Sequence, residues 1–192
     1  MKIFKNILIS ILVVVSLFVC VTLSFYNFCC EKVVVVGTSM YPTLHEGELG
    51  IMVKKPFVFS LERNDIIVFE KGEEKTSIVK RVIGLPGEKV EITVEGKILI
   101  NDQEIPQPYL QEDEYNYTYK GNYLENMSLT LSDNEYYVLG DHRSVSLDSR
   151  IEGPVKENQI LGKVIFTYAK YKEFDTETSK GNGKTYFPFK FL

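Results

Sequence analysis

"DIIVFEKGEEKTSIVKRVIGLPGEKVEITVEGKILI" (65–100) decides the fold. The runs "DIIVF" (65–69), "SIVKRVI" (77–83), "KVEITV" (89–94) and "KILI" (97–100) are rich in valine and isoleucine. Side chains branched at Cβ pack well on a pleated surface and lose rotamer freedom in a helix, so these runs read as strands. The breaks between them carry turn chemistry. "GLPGE" (84–88) reads as a turn with Pro86 and Gly87 in type II positions, where proline presets φ and glycine tolerates a positive φ. "VEGK" (94–97) reads as a tight hairpin turn.

The same pattern continues on both sides of this stretch. "VVVV" (33–36) and "LGIMV" (49–53) precede it, and "YYVLG" (136–140) and "LGKVIFTY" (161–168) follow it. No helical periodicity of useful length appears after residue 31, and no internal repeat is present. The expected fold is mostly β, as packed antiparallel sheets or a barrel-like domain over 31–170. Residues 101–134, polar, acidic and tyrosine-rich, read as a loop or small excursion from the sheet. The tail 171–192 reads as a flexible segment ending in aromatics.

The front of the chain is of another kind. No charged residue lies between Asn6 and Cys30, and "ILISILVVVSLFVCVTLSFYNF" (7–28) is predominantly apolar. At about 1.5 Å per residue such a helix crosses a hydrocarbon core of about 30 Å. A cleaved secretory leader has a shorter apolar core, of about 7–15 residues, and a small-x-small site after it. Here the stretch ends "FYNFCCEK". The expectation is a single transmembrane anchor over 7–28. Lys2 and Lys5 precede it, so the positive-inside rule puts 1–6 in the cytoplasm and the domain outside the cell membrane.

Charge and cysteine placement exclude several functions. The chain's formal charge is −4, and it is more negative once the two N-terminal lysines are set aside. An acidic domain without a basic stripe argues against a nucleic-acid partner. Cys20, Cys29 and Cys30 all lie in or beside the apolar segment, so the domain has neither a disulfide scaffold nor a cysteine nucleophile. Its two isolated histidines, His45 and His142, fall short of a zinc site, and no metal or other cofactor is expected.

The candidate nucleophile is Ser39 in "GTSMYPTLHEGE" (37–48). Gly37 lets other backbone approach closely, Pro42 stiffens the chain, and Tyr41 is held extended as the residue before proline. Two bases compete. His142, in "GDHRSVSLDSR" (140–150), would suit a serine–histidine triad. Lys80 shares a strand face with Ile78 and Val82, and desolvation there lowers a lysine pKa from its usual value of about 10.4. A lysine neutral near pH 7 costs about 3–4 kcal/mol of folded stability.

"SMYPTL", "KRVIGLPGE" and "GDHRSVSLDSR", in that order behind an N-terminal span, together resemble the bacterial type I signal peptidases, membrane-anchored serine proteases with a Ser/Lys dyad. "RNDIIVF" (63–69) and "NDQEIPQPYL" (101–110) are similar to the family's intervening segments, and the resemblance runs from the anchor to about Tyr168. It implies that Ser39 is the nucleophile, Lys80 the general base and Ser146 a hydrogen-bonding partner that orients the Lys80 amine. It also implies that Asp148 and Arg150 pair to brace the loop, with Arg81 and Asp141 as further supports. Met40 and Leu44 would help line the substrate groove, and Val35 and Val79 would wall shallow pockets. The implied substrates are signal peptides of exported preproteins, cut after small residues at P1 and P3. The implied second partner is the lipid bilayer, and no oligomeric state is implied. A serine that supplies a second oxyanion donor in some members is Gly37 here. His142 stands where the family usually has asparagine, and Asn64 where it usually has glycine.

Overall fold

The computed structural model describes residues 2–58, 60–110, 114, 127–168, 171–172, 185–186 and 189–192. Helix α1, Lys2–Cys29, contains the apolar segment and passes directly into strand β1, Cys30–Val34. Its stretch Ile3–Cys29 is long and apolar enough to cross a membrane. The junction is tied to the domain at two points. Lys54 Nζ donates to Asn27 O at 3.3 Å, and the Phe28 and Phe57 rings meet edge to face at 5.1 Å.

The strand runs of the sequence form β2 (Leu49–Lys54), β3 (Ile66–Lys71), β4 (Thr76–Gly84), β5 (Lys89–Ile92) and β6 (Ile98–Ile100). β7 (Gln103–Glu104) and β8 (Met127–Thr130) follow, then β9 (Glu135–Leu139), β10 (Val155–Lys156) and β11 (Ile160–Tyr168). The main sheet has the order β1-β2-β11-β3-β4-β9-β10, and its pairs are antiparallel. β3 lies inside this sheet and is buried on both faces from Ile66 to Phe69, which accounts for its unbroken apolar run. One face carries Val35, Met40, Leu44, Met52, Ile66, Val68 and Val164, and the other carries Ile67, Phe69, Val82, Val138, Val155 and Ile160.

At Gly84 the chain leaves the main sheet through the type II turn at Leu85–Glu88. Glu88 N–H donates to Leu85 O at 3.1 Å, and Gly87 has φ +78°. Arg63 pairs with Glu88 at 2.6 Å and clamps this exit. The second sheet, β7-β6-β5-β8, packs on Ile83, Tyr137 and Leu139 through Val90, Ile92, Ile98, Ile100 and Leu131.

The structure bears out a mostly β domain of packed antiparallel sheets behind one apolar helix, and it adds detail that the sequence pattern does not carry. Among the described residues the main sheet is open, with β1 and β10 at its ends, and does not close into a barrel. The 101–134 excursion supplies the exposed two-residue β7 and the four-residue β8, whose Met127 and Leu129 pack on the core while Ser128 and Thr130 are exposed; 111–113 and 115–126 lie outside the described residues. A one-turn helix, α2, spans Ser149–Glu152, below the length at which periodicity can be read. Within the tail, β12 (Tyr171–Lys172) pairs β13 (Thr185–Tyr186), and β14 (Phe189–Phe191) pairs β11. The remainder of that segment, expected to be flexible, lies outside the described residues.

Candidate active site

Ser39 lies in the turn that joins β1 to β2. Tyr41 N–H donates to Thr38 O at 3.0 Å, and Leu44 N–H to Met40 O at 2.8 Å. Met40 and Leu44, 2% and 1% exposed, anchor the turn in the core. That leaves the Ser39 side chain free to face an open cleft of about 680 Å³.

Lys80 reaches the same cleft from β4. It stands opposite Ile67 on β3 and between Ile78 and Val82 on one sheet face, and it is 3% exposed. Its Nζ is 2.8 Å from Ser39 Oγ and donates to Val79 O at 3.1 Å. Desolvation lowers its pKa, and Arg150 acts in the same direction, against the opposing pull of Asp148, Glu152 and Asp141. A neutral amine can accept the Ser39 proton along the line on which the ammonium donates.

The loop after β9 closes the site. Gly140 N–H donates to Asp148 Oδ2 at 2.9 Å, and Val138 N–H to Ser149 Oγ at 3.0 Å. Arg150 holds both oxygens of Asp148, each at 2.8 Å, with the two side chains almost wholly buried. This bidentate pairing turns the Asp148 carboxylate toward Arg150 rather than Lys80. Gly140 has no room for a methyl group, which would collide with the Ser146 side chain and Ser39 O.

Arg81 braces the Ser39 turn from the other side. It binds Asp141 through Nε at 2.8 Å and through a terminal nitrogen at 2.6 Å. It also donates to Thr43 Oγ1 at 3.2 Å and to Asn64 O at 2.8 Å, and its guanidinium lies over the Tyr109 ring, 3.9 Å from the centroid. Asn64 has φ +75°, a left-handed backbone that asparagine tolerates better than most residues other than glycine, which makes physical sense of its place where glycine is usual.

Several assignments need correction. Ser146 Oγ is buried and has no hydrogen-bond partner, so the bond expected from it to Lys80 is absent. The hydroxyl packs against Gly140 while the amine is taken up by Ser39 and Val79. Met40, Leu44 and Val35 are core residues and do not line the cleft. Val79 packs against that core and contributes its carbonyl to Lys80. The apolar walls are Val36, Ile78, Val145 and Leu147. Ile78 was legible from its alternation with Lys80, and Val145 and Leu147 as lone apolar residues in a polar loop. His142 is beside the Ser39 turn, with Nδ1 3.1 Å from Thr38 O and Nε2 3.7 Å from Glu114 Oε1. His45 lies 3.6 Å from Glu48.

A serine hydroxyl and a desolvated lysine in contact at an open cleft have the chemistry of a nucleophile and its base. The signal peptidase family, peptidase S26, matches residues 6–169. Signal peptidase I of Streptococcus pneumoniae is 33% identical, the match covering 88% of this chain and 96% of that one. Signal peptidase I of Bacillus caldolyticus is 39% identical, covering 81% and 88%. A solved signal peptidase I of Enterococcus faecalis is 34% identical with a TM-score of 0.46, covering 54% of this chain and 96% of that one. The chain belongs to the signal peptidase family, peptidase S26, and is a serine endopeptidase of the signal peptidase I class.

Proposed function

We propose that the protein cuts signal peptides from exported preproteins after small residues at P1 and P3, with Ser39 as nucleophile and Lys80 as general base. The observation that carries this reading is the 2.8 Å contact between Ser39 Oγ and the buried Lys80 amine at the cleft. Lys80 takes the Ser39 proton as Oγ attacks the scissile carbonyl, and the proton then passes to the departing amine. A water that gives its proton to Lys80 attacks the ester; Lys80 returns that proton to Ser39 Oγ as the Oγ–C bond breaks, and the acyl group leaves as a carboxylate. The Ser39 N–H has no acceptor among the described residues and serves as an oxyanion donor.

The substrate lies along β4. β9 pairs with β4 only from Arg81 onward, so the β4 edge over 76–80 is open beside the cleft and can take an extended chain as an added strand. Val36, Ile78, Val145 and Leu147 give shallow apolar walls suited to small side chains. The N-terminus lies in the cytoplasm, α1 crosses the cell membrane, and the catalytic domain works on the outer side, where preproteins emerge.

Intact-mass analysis of acid-quenched enzyme with an Ala-x-Ala peptide ester tests the chemistry. An acyl adduct mapped to Ser39 is expected. An adduct elsewhere, or one that forms equally in Ser39→Ala, overturns the assignment.

A further inference from the structure

We propose that His142 is a positioning residue for the oxyanion donor: it fixes the peptide plane whose N–H is that of Ser39. The inference rests on the reading of Ser39 as nucleophile.

The peptide between Thr38 and Ser39 is one rigid unit, and in its trans form the Thr38 C=O and the Ser39 N–H point in opposite directions. Whatever holds the carbonyl therefore aims the N–H. Thr38 O accepts from Tyr41 N–H at 3.0 Å and from His142 Nδ1 at 3.1 Å. A carbonyl only accepts, so Nδ1 carries the proton in this contact. The next carbonyl is held by the same residue, since His142 N–H donates to Ser39 O at 3.0 Å. His142 thus grips the carbonyls on both sides of the nucleophile, one with its ring and one with its backbone.

Glu114, 7% exposed, takes Ser144 N–H and Oγ at 2.9 Å each and so fixes the loop that carries His142; its Oε1 lies 3.7 Å from His142 Nε2, beyond hydrogen-bond distance. The Tyr41 ring stands 6.0 Å from the imidazole on the other side. A hydrogen bond to Thr38 O also polarises the peptide and strengthens the donor at its far end. Asparagine can make the same contact, because its amide nitrogen, like Nδ1, is bonded to Cγ. This gives the departure at position 142 a chemical reason: the donor is kept while the residue changes.

A donor aimed at the oxyanion stabilises the transition state more than the bound substrate, so its loss falls on kcat and leaves KM nearly unchanged. The test compares His142→Ala, His142→Leu and His142→Asn with wild type, using an Ala-x-Ala peptide and a peptide aldehyde ending in alanine. The aldehyde places a hemiacetal oxygen where the oxyanion forms. His142→Ala and His142→Leu are expected to lower kcat about tenfold and to weaken aldehyde binding by a similar factor, with KM within about twofold. His142→Asn is expected to recover most of both. Wild-type kcat in His142→Leu, or an Asn variant as slow as the Leu variant, overturns the inference. Complete loss of cleavage in both His142→Leu and His142→Asn, with melting temperatures intact, makes His142 the base and overturns it too. Ser39→Ala serves as the control: if it still cleaves, the nucleophile assignment has failed, whereas a dead Ser39→Ala beside an unaffected His142→Leu rejects the His142 role alone.

Discussion

Lys80 is held among Ile67, Ile78 and Val82, where a positive charge is disfavoured. Its folded pKa lies below the value near 10.5 that it has when unfolded, mainly through burial. Between those two values the unfolded chain binds more protons, so stability rises with pH across that window, and below the folded pKa the cost is full. Lys80→Met removes the cost. It is expected to melt above wild type at pH 7, with the gap closing as pH approaches the unfolded value, while cleavage falls at least about a thousandfold. A lower melting temperature for Lys80→Met at pH 7 would show that the charged form is stabilised in the fold. By the same shift, wild-type kcat/KM should climb with pH through a midpoint below 10.5.

At the scale of elements, the loop after β9 and the turn before β2 meet at Gly140. Gly140→Ala places a methyl against Ser146 and Ser39 O, so the loop must shift. A stability loss of about 1–3 kcal/mol is expected, together with a fall in kcat of about a hundredfold, because the nucleophile moves with the backbone it rests on. Unchanged kinetics in Gly140→Ala would mean that the contact between the two loops is slack. This meeting of loops also marks the limit of what the sequence shows. Valine and isoleucine runs announced β2 to β6, β9 and β11, because burial against a sheet is a local pattern. Gly140 reads as an ordinary turn residue, since the atoms that exclude a side chain lie about a hundred residues upstream and six downstream. The resemblance implied Met40 and Leu44, which follow Ser39 in the chain, as residues of the cleft. In three dimensions a side chain next to a nucleophile can anchor its loop instead, and both do. Ser146 was assigned a bond that the amine gives to Ser39 and Val79.

For the molecule as a whole, α1 runs into β1 without a linker and is tied to the domain by Lys54–Asn27 and Phe28–Phe57, so anchor and cleft are held together. The proposed orientation, with Lys2 and Lys5 inside, predicts that protease added outside intact spheroplasts degrades the chain beyond residue 30. Degradation only after lysis would reverse the topology. The central claim is that Ser39 and Lys80 together cut the substrate, and the most direct test is preprotein cleavage by detergent-solubilised enzyme across a range of pH. Wild type is compared with Ser39→Ala, Lys80→Ala and His142→Ala on an Ala-x-Ala substrate. Ser39→Ala and Lys80→Ala are expected to be inactive at every pH, and His142→Ala to cleave at a reduced rate. An active Lys80→Ala beside an inactive His142→Ala would contradict the account and make the histidine the base.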